Sequence, residues 1–594
     1  MASPIIQPAF STGEIAPSLF GRVDLAKTHL GATTMRNFFS NYRGGASSRA
    51  GTHWVGQSKT PGTSAYAPRL IPFKFNLNQG YILEFGNLYL RIIYQGAYVT
   101  EAPKTITGVT NSIPAVVSAV TGFSVGDWVY VYDVDGMPEI NGQTYIVSSA
   151  GGGYIALSNL DGTPVDSLAW GTYIGNGSVA RILTVDTPYA IEDLPALKYA
   201  QSADVMSLTH NSYAPRDLTR VSAAVWTLTT TAFTADIEAP ATASATASRT
   251  TGSLSTSYGY VVTAVSDATG EESIASPIAS VTNSVDIGAV AGTITVNWTA
   301  VTGAKGYNVY RSPAAYNTSV PSGVVYGFAG SATSTSFIDT NIVPDFTFSP
   351  PLHLDPFSSS GNWPGVVAYF QQRRVYANTN NAPNTYFMSK PGAYTNFDAA
   401  FPTKDDDAIT GTPWAQQVNG IQFMIAMPGG LVVFTGEGAW QVTGAGAGNN
   451  AITPATQNAA PQAYIGSHDH IGPIPISYDI LYVQSKGSNV RDMVYNFYFN
   501  IYTSSAITIL SPHLFENHQL VEWAYAEEPY KIVWVVRDDG IMLSLTYLRE
   551  QDIYAWARHD TNGLFCSVAT VTEPPVDAVY TVVKRLVNGQ WYYY

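Results

Sequence analysis

From residue 350 onward the chain keeps returning to one pattern, seen in "VVAYFQQRRVYAN", "GIQFMIAMPGGLVVFTGEGAWQV", "ISYDILYVQSKGSNVRDMVYNF", "KIVWVVRDDGIMLSLTYLREQDIYAWARHD" and "DAVYTVVKRLVNGQWYYY". Each is an apolar strand, a turn carrying Gly or Asp, and a second strand ending on Tyr, Trp or Arg. The pattern recurs about every 40 to 50 residues, room for about four strands per period. Units of that size cannot bury both faces of a sheet alone, so they must stack on one another. The period predicts the blades of a β-propeller.

The rest of the chain supplies further strands and two interruptions. "RLIPFKFNLNQGYILEFGNLYLRIIYQGAYV", residues 69 to 99, alternates apolar and polar side chains between turns and reads as a meander of three or more strands. "TPYAIEDLPALKYAQSADVMSLTH" continues it with a short helical turn and a strand from Asp204 to His210. Between them, residues 104–182 are poor in charge and rich in Gly, Val and Ser, with the strand pair "DWVYVYDV" and "QTYIVSSA"; they read as a small inserted β-domain. Residues 239–345 are rich in Thr, Ser, Ala and Val, and "TITVNWTAVTGAKGYNVYRS" and "TSFIDT" resemble a fibronectin type III domain. That likeness implies a sandwich with Trp298 and Tyr307 in its core. The expected architecture is therefore all-β: a propeller core from residues 65–103, 183–238 and 346–594, two inserted β-domains, and an irregular N-terminal arm, residues 1–64.

Composition agrees and narrows the function. With 594 residues the chain exceeds one hydrophobic core. Its 45% hydrophobic and 12% charged residues describe a folded protein whose surface relies on Ser, Thr, Asn and Gln. A net charge of −14 argues against binding nucleic acid by phosphate neutralisation. The single cysteine, Cys566, rules out an intrachain disulfide and reads as a buried thiol. No apolar run approaches the ~20 residues that span a bilayer, and "MASPIIQPAF" lacks the form of a secretion signal, so neither signal nor membrane anchor is expected.

No stretch assembles a catalytic set. "TGAGAGNN", with Gly444, Gly446 and Gly448, lacks the helix, Lys and Ser/Thr of a phosphate loop. "SHDH" sets His468 and His470 on one side of an extended segment but suggests no third metal ligand. "DVDG", Asp133 to Gly136, starts like a calcium loop, but Glu139 comes too early and position 144 is Thr, so a hairpin turn is expected. The carboxylates Asp405, Asp406, Asp407, Glu527 and Glu528 have no spacing that sets two across a cleft, as glycoside hydrolysis requires. No catalytic residue, metal or cofactor is expected.

The arm is the most distinctive text. "FSTGEIAPSLFGRVDLAKTHLGATTMRNFFSNYRGGASSRAGTHWV" is basic in an acidic chain and broken by Gly and Pro. One short helix is expected in it, capped by Asp24, carrying Leu25, Leu30, Met35 and Phe38, interrupted near Gly31 and ending near Asn41. The arm resembles the opening of the tail nozzle proteins of short-tailed bacteriophages, the tail tubular protein B family, with its pattern F-x-x-G-E-L-x-P-x-L-x-G-R-x-D-L followed by N-F, G-G and R-x-G-T. Phe10, Gly13, Glu14, Pro17, Gly21, Arg22, Asp24, Asn37, Phe38, Gly44, Gly45, Arg49, Gly51 and Thr52 fit that pattern. "FQQRRVYA", "FTGEGAWQV" and "DDGIMLSLTYLREQDIYAWARH" follow in the family's order.

The resemblance implies a structural virion protein of the phage tail, made and assembled in the host cytoplasm. It implies a homo-oligomer, a six-subunit tube below an adaptor or head-to-tail connector protein, contacted by tail fibres or spikes. Viral double-stranded DNA would pass through the lumen without specific binding, and an acidic wall suits that passage. The arm, with Arg22, Lys27, Arg36, Arg43 and Arg49, would dock on neighbouring subunits or the adaptor; the simpler alternative is that it wraps its own propeller. A rival class is a carbohydrate-binding or glycan-degrading propeller adhesin, suggested by the abundant aromatics and the fibronectin-like segment.

Overall fold

A computed structural model describes residues 7–22, 24–119, 121–414, 419–445, 450–486 and 488–594. Among them the chain is all-β, with helical structure confined to 3-10 turns of three to six residues. Every long apolar run singled out in the sequence is a strand paired to its neighbour in the chain, because the tight turns between them leave antiparallel pairing as the nearest way to satisfy the backbone.

Seven antiparallel sheets follow one another and are numbered in chain order. Sheet 1 holds Arg69–Asn76, Gln79–Gly86 and Tyr89–Tyr94, completed by Thr184–Asp186. Sheet 2 runs Lys198–Ser202, Val205–His210, Tyr213–Ser222, Val225–Thr230; sheet 3 runs Pro364–Phe370, Arg373–Thr379, Tyr386–Met388, Ile409–Gly411. Sheet 4 is Ile421–Met427, Gly430–Thr435, Ala439–Thr443, Asn458–Ala463, and sheet 5 is Ile474–Ile476, Asp479–Val483, Val490–Asn496, Ile501–Ala506. Sheet 6 contains Leu520–Ala526, Ile532–Arg537, Met542–Leu548 and Ile553–His559, and sheet 7 contains Leu564–Glu573, Val576–Val587 and Gln590–Tyr593.

Each sheet shares a buried apolar cluster with the next. Phe73, Leu83 and Met206 join sheets 1 and 2. Ala200 of sheet 2 packs on the cluster of Val367 and Tyr376 in sheet 3. Val375 and Val433 join sheets 3 and 4, Phe434 and Tyr482 sheets 4 and 5, Leu481 and Val535 sheets 5 and 6. Val536 and Val568 then join sheets 6 and 7, and Ala569 meets Ile82 back in sheet 1. The succession closes on itself, consistent with the propeller-type organisation expected from the repeat.

Two further bodies interrupt the cycle. Sheet 1 loses the chain after Ala97–Tyr98, which pairs back on Tyr89–Tyr94, and regains it at Thr184; the intervening strands Lys104–Val109, Val116–Ala119, Trp128–Tyr132, Gln143–Gly151, Tyr154–Ser158 and Ser178–Arg181 close into a six-stranded barrel with its own core. Between sheets 2 and 3, a three-stranded sheet (Ala243–Ala247, Ile294–Trp298, Ser336–Asp339) faces a larger one built on Thr256–Ser266, Ala279–Ser284, Ala304–Arg311 and Gly327–Ala332. Trp298 and Tyr307 meet edge to face in the core between them, ring centroids 5.3 Å apart.

The arm departs from the expected helix. Asp24 caps no helix: it pairs with Arg22 at 2.7 Å, and the helical pieces on either side of it are the 3-10 turns Pro17–Leu19 and Ala26–Leu30. Met35 is buried beside sheet 6, and Phe38–Ser40 pairs with Ala46–Ser48 as a hairpin. The reason lies in the spacing. Leu25, Leu30, Met35 and Phe38 do not fall at the i, i+3, i+4 intervals of one helical face, and the backbone finds its hydrogen bonds in neighbouring strands instead.

Candidate functional site

The arm residues singled out by the sequence divide into an anchored set and an exposed set. Gly13–Glu14 lies parallel to Ile553–His559 at the edge of sheet 6, with Gly31–Ala32 outside it. Gly13 has a φ of +73° and sits so close that a Cβ would be 2.4 Å from the Trp556 carbonyl oxygen. Only glycine permits that approach. It delivers Glu14 into a fully buried position, 0% exposed, where its carboxylate accepts a hydrogen bond from the Met35 N–H at 2.8 Å, lies 3.0 Å from His513 Nε2, and pairs with Arg558 at 3.0 Å. Ser511 donates to the Glu14 carbonyl at 2.6 Å.

A second anchor is built on Asp560, just past the last strand of sheet 6. Arg36 pairs with its carboxylate, Asn37 Nδ2 donates to it at 2.5 Å, and Arg49 Nη2 donates to its carbonyl at 3.0 Å. The Arg36 hydrogen bond, aided by Asn37, holds the Asp560 carboxyl below its ordinary range. Asn37 adopts a left-handed φ of 59°, a conformation that asparagine tolerates. Phe10 ties the hairpin in place, its N–H donating to Gly44 and its carbonyl accepting from Ser40 Oγ.

Pro17, Gly21, Arg22 and Asp24 behave differently. All four are exposed; Pro17 opens a 3-10 turn and a Cβ on Gly21 would meet nothing within 4 Å. The arm is thus fastened at 10–16 and 31–49; between them Pro17, Gly21, Arg22 and Asp24 face solvent, while Lys27 turns back to the main body, its Nζ donating to the Asp552 carbonyl at 3.0 Å.

A charged cluster that the sequence reading missed gathers where the first strands of the sheets begin. Arg69 of sheet 1 pairs with Glu522 of sheet 6 at 2.9 Å and donates to the carbonyls of Leu194 and Leu197. Lys198 of sheet 2 reaches the Gln422 carbonyl of sheet 4 at 2.7 Å, its ammonium 4.2 Å from the Phe423 ring centroid. Burial lowers Lys198 to about 7. His468 and His470 belong to this cluster, and burial depresses both, with Asp469 opposing the shift. They flank Asp469, whose carboxylate lies 3.2 Å from His468 Nδ1 and 3.7 Å from His470 Nε2. No local signal in the sequence joins Lys198 to Gln422, which are brought together only by the packing of sheets.

The other candidates resolve into structural parts. Asp407 is buried and organises its loop by accepting from the Ala400 and Lys404 N–H groups, with Lys390 at 3.3 Å. The N–H groups of Glu527 and Glu528 both donate to Asp577. Asp133 to Gly136 lies in the connection between two barrel strands, where Asn141 bonds both polar groups of the Val134 backbone. Gly444 is packed against the Ala451 carbonyl, while Gly446 and Gly448 lie outside the described residues. Cys566 is half-buried, and burial pushes its thiol up. His518, Asp538 and Asp539 come together, but Arg537 already pairs with Asp539. No described helix is long and apolar enough to cross a membrane.

No protein-family model and no curated protein matches the chain. Among solved structures it is similar to the WD40 domain of Pan2 from Neurospora crassa, at 10% identity over 49% of this chain and 82% of that one, with a TM-score of 0.22. A likeness that loose does not bear on function.

Proposed function

We propose that the chain is a structural subunit of the tail nozzle of a short-tailed bacteriophage, a non-enzymatic homo-oligomer, hexameric by the family resemblance, that forms a conduit for genome ejection. The observation that carries this reading is the N-terminal pattern, in which the matching residues are not scattered: Gly13, Glu14, Asn37 and Arg49 build the seat of the arm, and Pro17, Gly21, Arg22 and Asp24 form its projection. An arm clamped at two places, with Pro17, Gly21, Arg22 and Asp24 exposed between them, suits docking to a neighbouring subunit or an adaptor protein, with little further ordering to be offset on assembly.

In this reading the seven sheets are propeller blades, the barrel within 104–182 and the sandwich within 239–345 are inserted domains, the latter of fibronectin type III kind, and residues 1–64 are the docking arm. The charge-poor surface and the net charge of −14 favour DNA sliding past over DNA binding. Negative-stain microscopy of the purified protein tests it: sixfold rings or tubes are expected. A monomer that retains or cleaves bacterial polysaccharide would replace this reading with that of a propeller adhesin.

A further inference from the structure

Sheet 5 ends in an aromatic tip that nothing above uses. Its first and third turns emerge at the same end, because the strands alternate in direction. One turn carries Tyr478, 72% exposed; the other carries Phe497, Tyr498 and Phe499, at 83%, 93% and 72%. Tyr495 and Ile501 flank them at the half-exposed base. Large apolar side chains spread singly over a surface call for no account, but four rings grouped on two adjoining turns do.

The tip is built to hold its shape while its rings face outward. Asn496 Oδ1 accepts from the Tyr498 N–H at 3.0 Å and from the Phe499 N–H at 3.4 Å. Asn496 and Ile501 are paired across the hairpin, Tyr495 donates to Asn500, and Tyr495 and Tyr502 pack edge to face at 5.4 Å. Ser477 and Asn500 take the left-handed conformations that close the two turns. Two of the apex N–H groups, those of Tyr498 and Phe499, are thus bonded within the loop, which lowers the cost of taking it out of water.

Charge selects among partners. "YNFYFNIY", residues 495 to 502, and "IPISY", residues 474 to 478, contain no ionisable group besides the tyrosine hydroxyls. The nearest carboxylate in sequence, Asp479, is occupied by Arg549 at 3.1 Å and by the Tyr547 hydroxyl at 3.2 Å. The two turns offer no charged side chain to an ionic partner. Phe and Tyr on an uncharged, internally bonded turn are what the boundary between lipid headgroups and acyl chains accommodates, without any demand for shape complementarity.

We propose that the tip formed by Tyr478, Phe497, Tyr498 and Phe499 is a lipid-surface contact that inserts its rings shallowly into the interface of a bilayer. This does not depend on the nozzle reading. Single tips would bind weakly and reversibly, and several copies in one assembly would add their contacts.

The full-length protein, wild type and F497S/Y498S/F499S, is sedimented with phosphatidylcholine vesicles at low salt and at 0.5 M NaCl. Wild type is expected to partition onto the vesicles equally at both salt concentrations, and the triple variant roughly tenfold less or lower, given the apolar area removed. Thermal unfolding and particle shape of the variant are compared with wild type in parallel. A second variant, Phe499→Trp, keeps the apex aromatic and reports insertion directly: its fluorescence, read against the wild-type background, is expected to shift to the blue and to be quenched by brominated lipid. Failure of wild type to bind vesicles, equal binding by the folded triple variant, loss of binding in salt, or fluorescence of the Phe499→Trp variant that is indifferent to brominated lipid would each overturn the proposal. Loss of ring formation by the folded triple variant would assign the tip to a subunit contact instead.

Discussion

Replacing Glu14 by alanine should release the arm, and the structure sets the size of the effect. The carboxylate is fully buried and satisfies three donors: the Met35 N–H, His513 Nε2 and Arg558. Removing one member of a buried ion pair costs about 3–5 kcal/mol, because the partner is left uncompensated. Here the Arg558 side chain is 38% exposed and can turn toward water, so the lower end, about 3 kcal/mol, is expected, with the stranded Met35 N–H included. Glu14→Gln preserves volume and one acceptor but turns an NH₂ toward cationic donors, and should cost somewhat less. Because Gly13–Glu14 joins the fold as a short strand at the edge of sheet 6, the loss is expected first as local detachment of that segment. The assay is limited proteolysis within 17–29 together with hydrogen exchange of the Ile15 and Ala16 amides, which donate to Ala32 and Leu510. Cleavage and exchange should accelerate about a hundredfold for 3 kcal/mol, while the unfolding transition of the remaining sheets moves little. Unchanged exchange at Ile15 and Ala16 in the alanine variant would refute the idea that this carboxylate fastens the arm.

Other expectations follow from the same geometry. Gly13→Ala should mimic Glu14→Ala in exchange at the arm, since a left-handed φ costs an ordinary residue ~1–3 kcal/mol before the clash with Trp556 is counted. Lys198 is lowered by burial to about 7 from 10.5, so the unfolded chain holds more protons between those values and stability rises with pH across that window; Lys198→Met, measured by urea unfolding, should gain about 4 kcal/mol more at pH 6 than at pH 10, and equal effects at both would count against it. Burial keeps His559 neutral down to about 3, its Nε2 2.8 Å from Ser544 Oγ, so it withdraws stability as pH falls from 6.5 toward 3; His559→Gln should flatten that part of the acid unfolding curve. Replacing residues 240–345 by a Gly/Ser linker should leave one cooperative transition, because the sandwich has its own core and meets sheet 3 through polar contacts such as Asn396 with Glu271 and Lys404 with Glu272; loss of that transition would show the sandwich to be integral.

What the sequence disclosed and what it hid differ in the range of the interactions involved. The hairpins of sheets 1 and 3 to 6 are local: "NQG" between Arg69–Asn76 and Gln79–Gly86, or "DDG" before Met542–Leu548, state their turns in neighbouring residues. Trp298 and Tyr307 lie nine positions apart and announce a shared core. Glu14 could not be read as buried, since its partners His513 and Arg558 stand about five hundred residues away and an acidic residue in a polar stretch is ordinarily solvated. The same holds for Lys198 with Gln422 and for Asp560 with Arg36 and Asn37. Only the resemblance noted in the N-terminal stretch marked Gly13 and Glu14, without saying that one admits a close backbone approach and the other is the charge that approach buries.

The cycle of sheets closes by parts drawn from opposite ends of the sequence, and this explains why a charge-poor chain spends two of its few buried or half-buried acidic anchors on the arm. Sheet 7 wedges between sheets 6 and 1, with Ser567 Oγ bonded to Glu522 of sheet 6 and accepting from the Leu70 N–H of sheet 1. The arm covers the outer edge of sheet 6, where Ile553–His559 would otherwise offer an unpaired ladder to another chain. Contacts that bridge some five hundred residues are opposed by loop-closure entropy until the intervening sheets have formed. The Gly13–Glu14 strand therefore seats only once Ile553–His559 of sheet 6 exists to receive it.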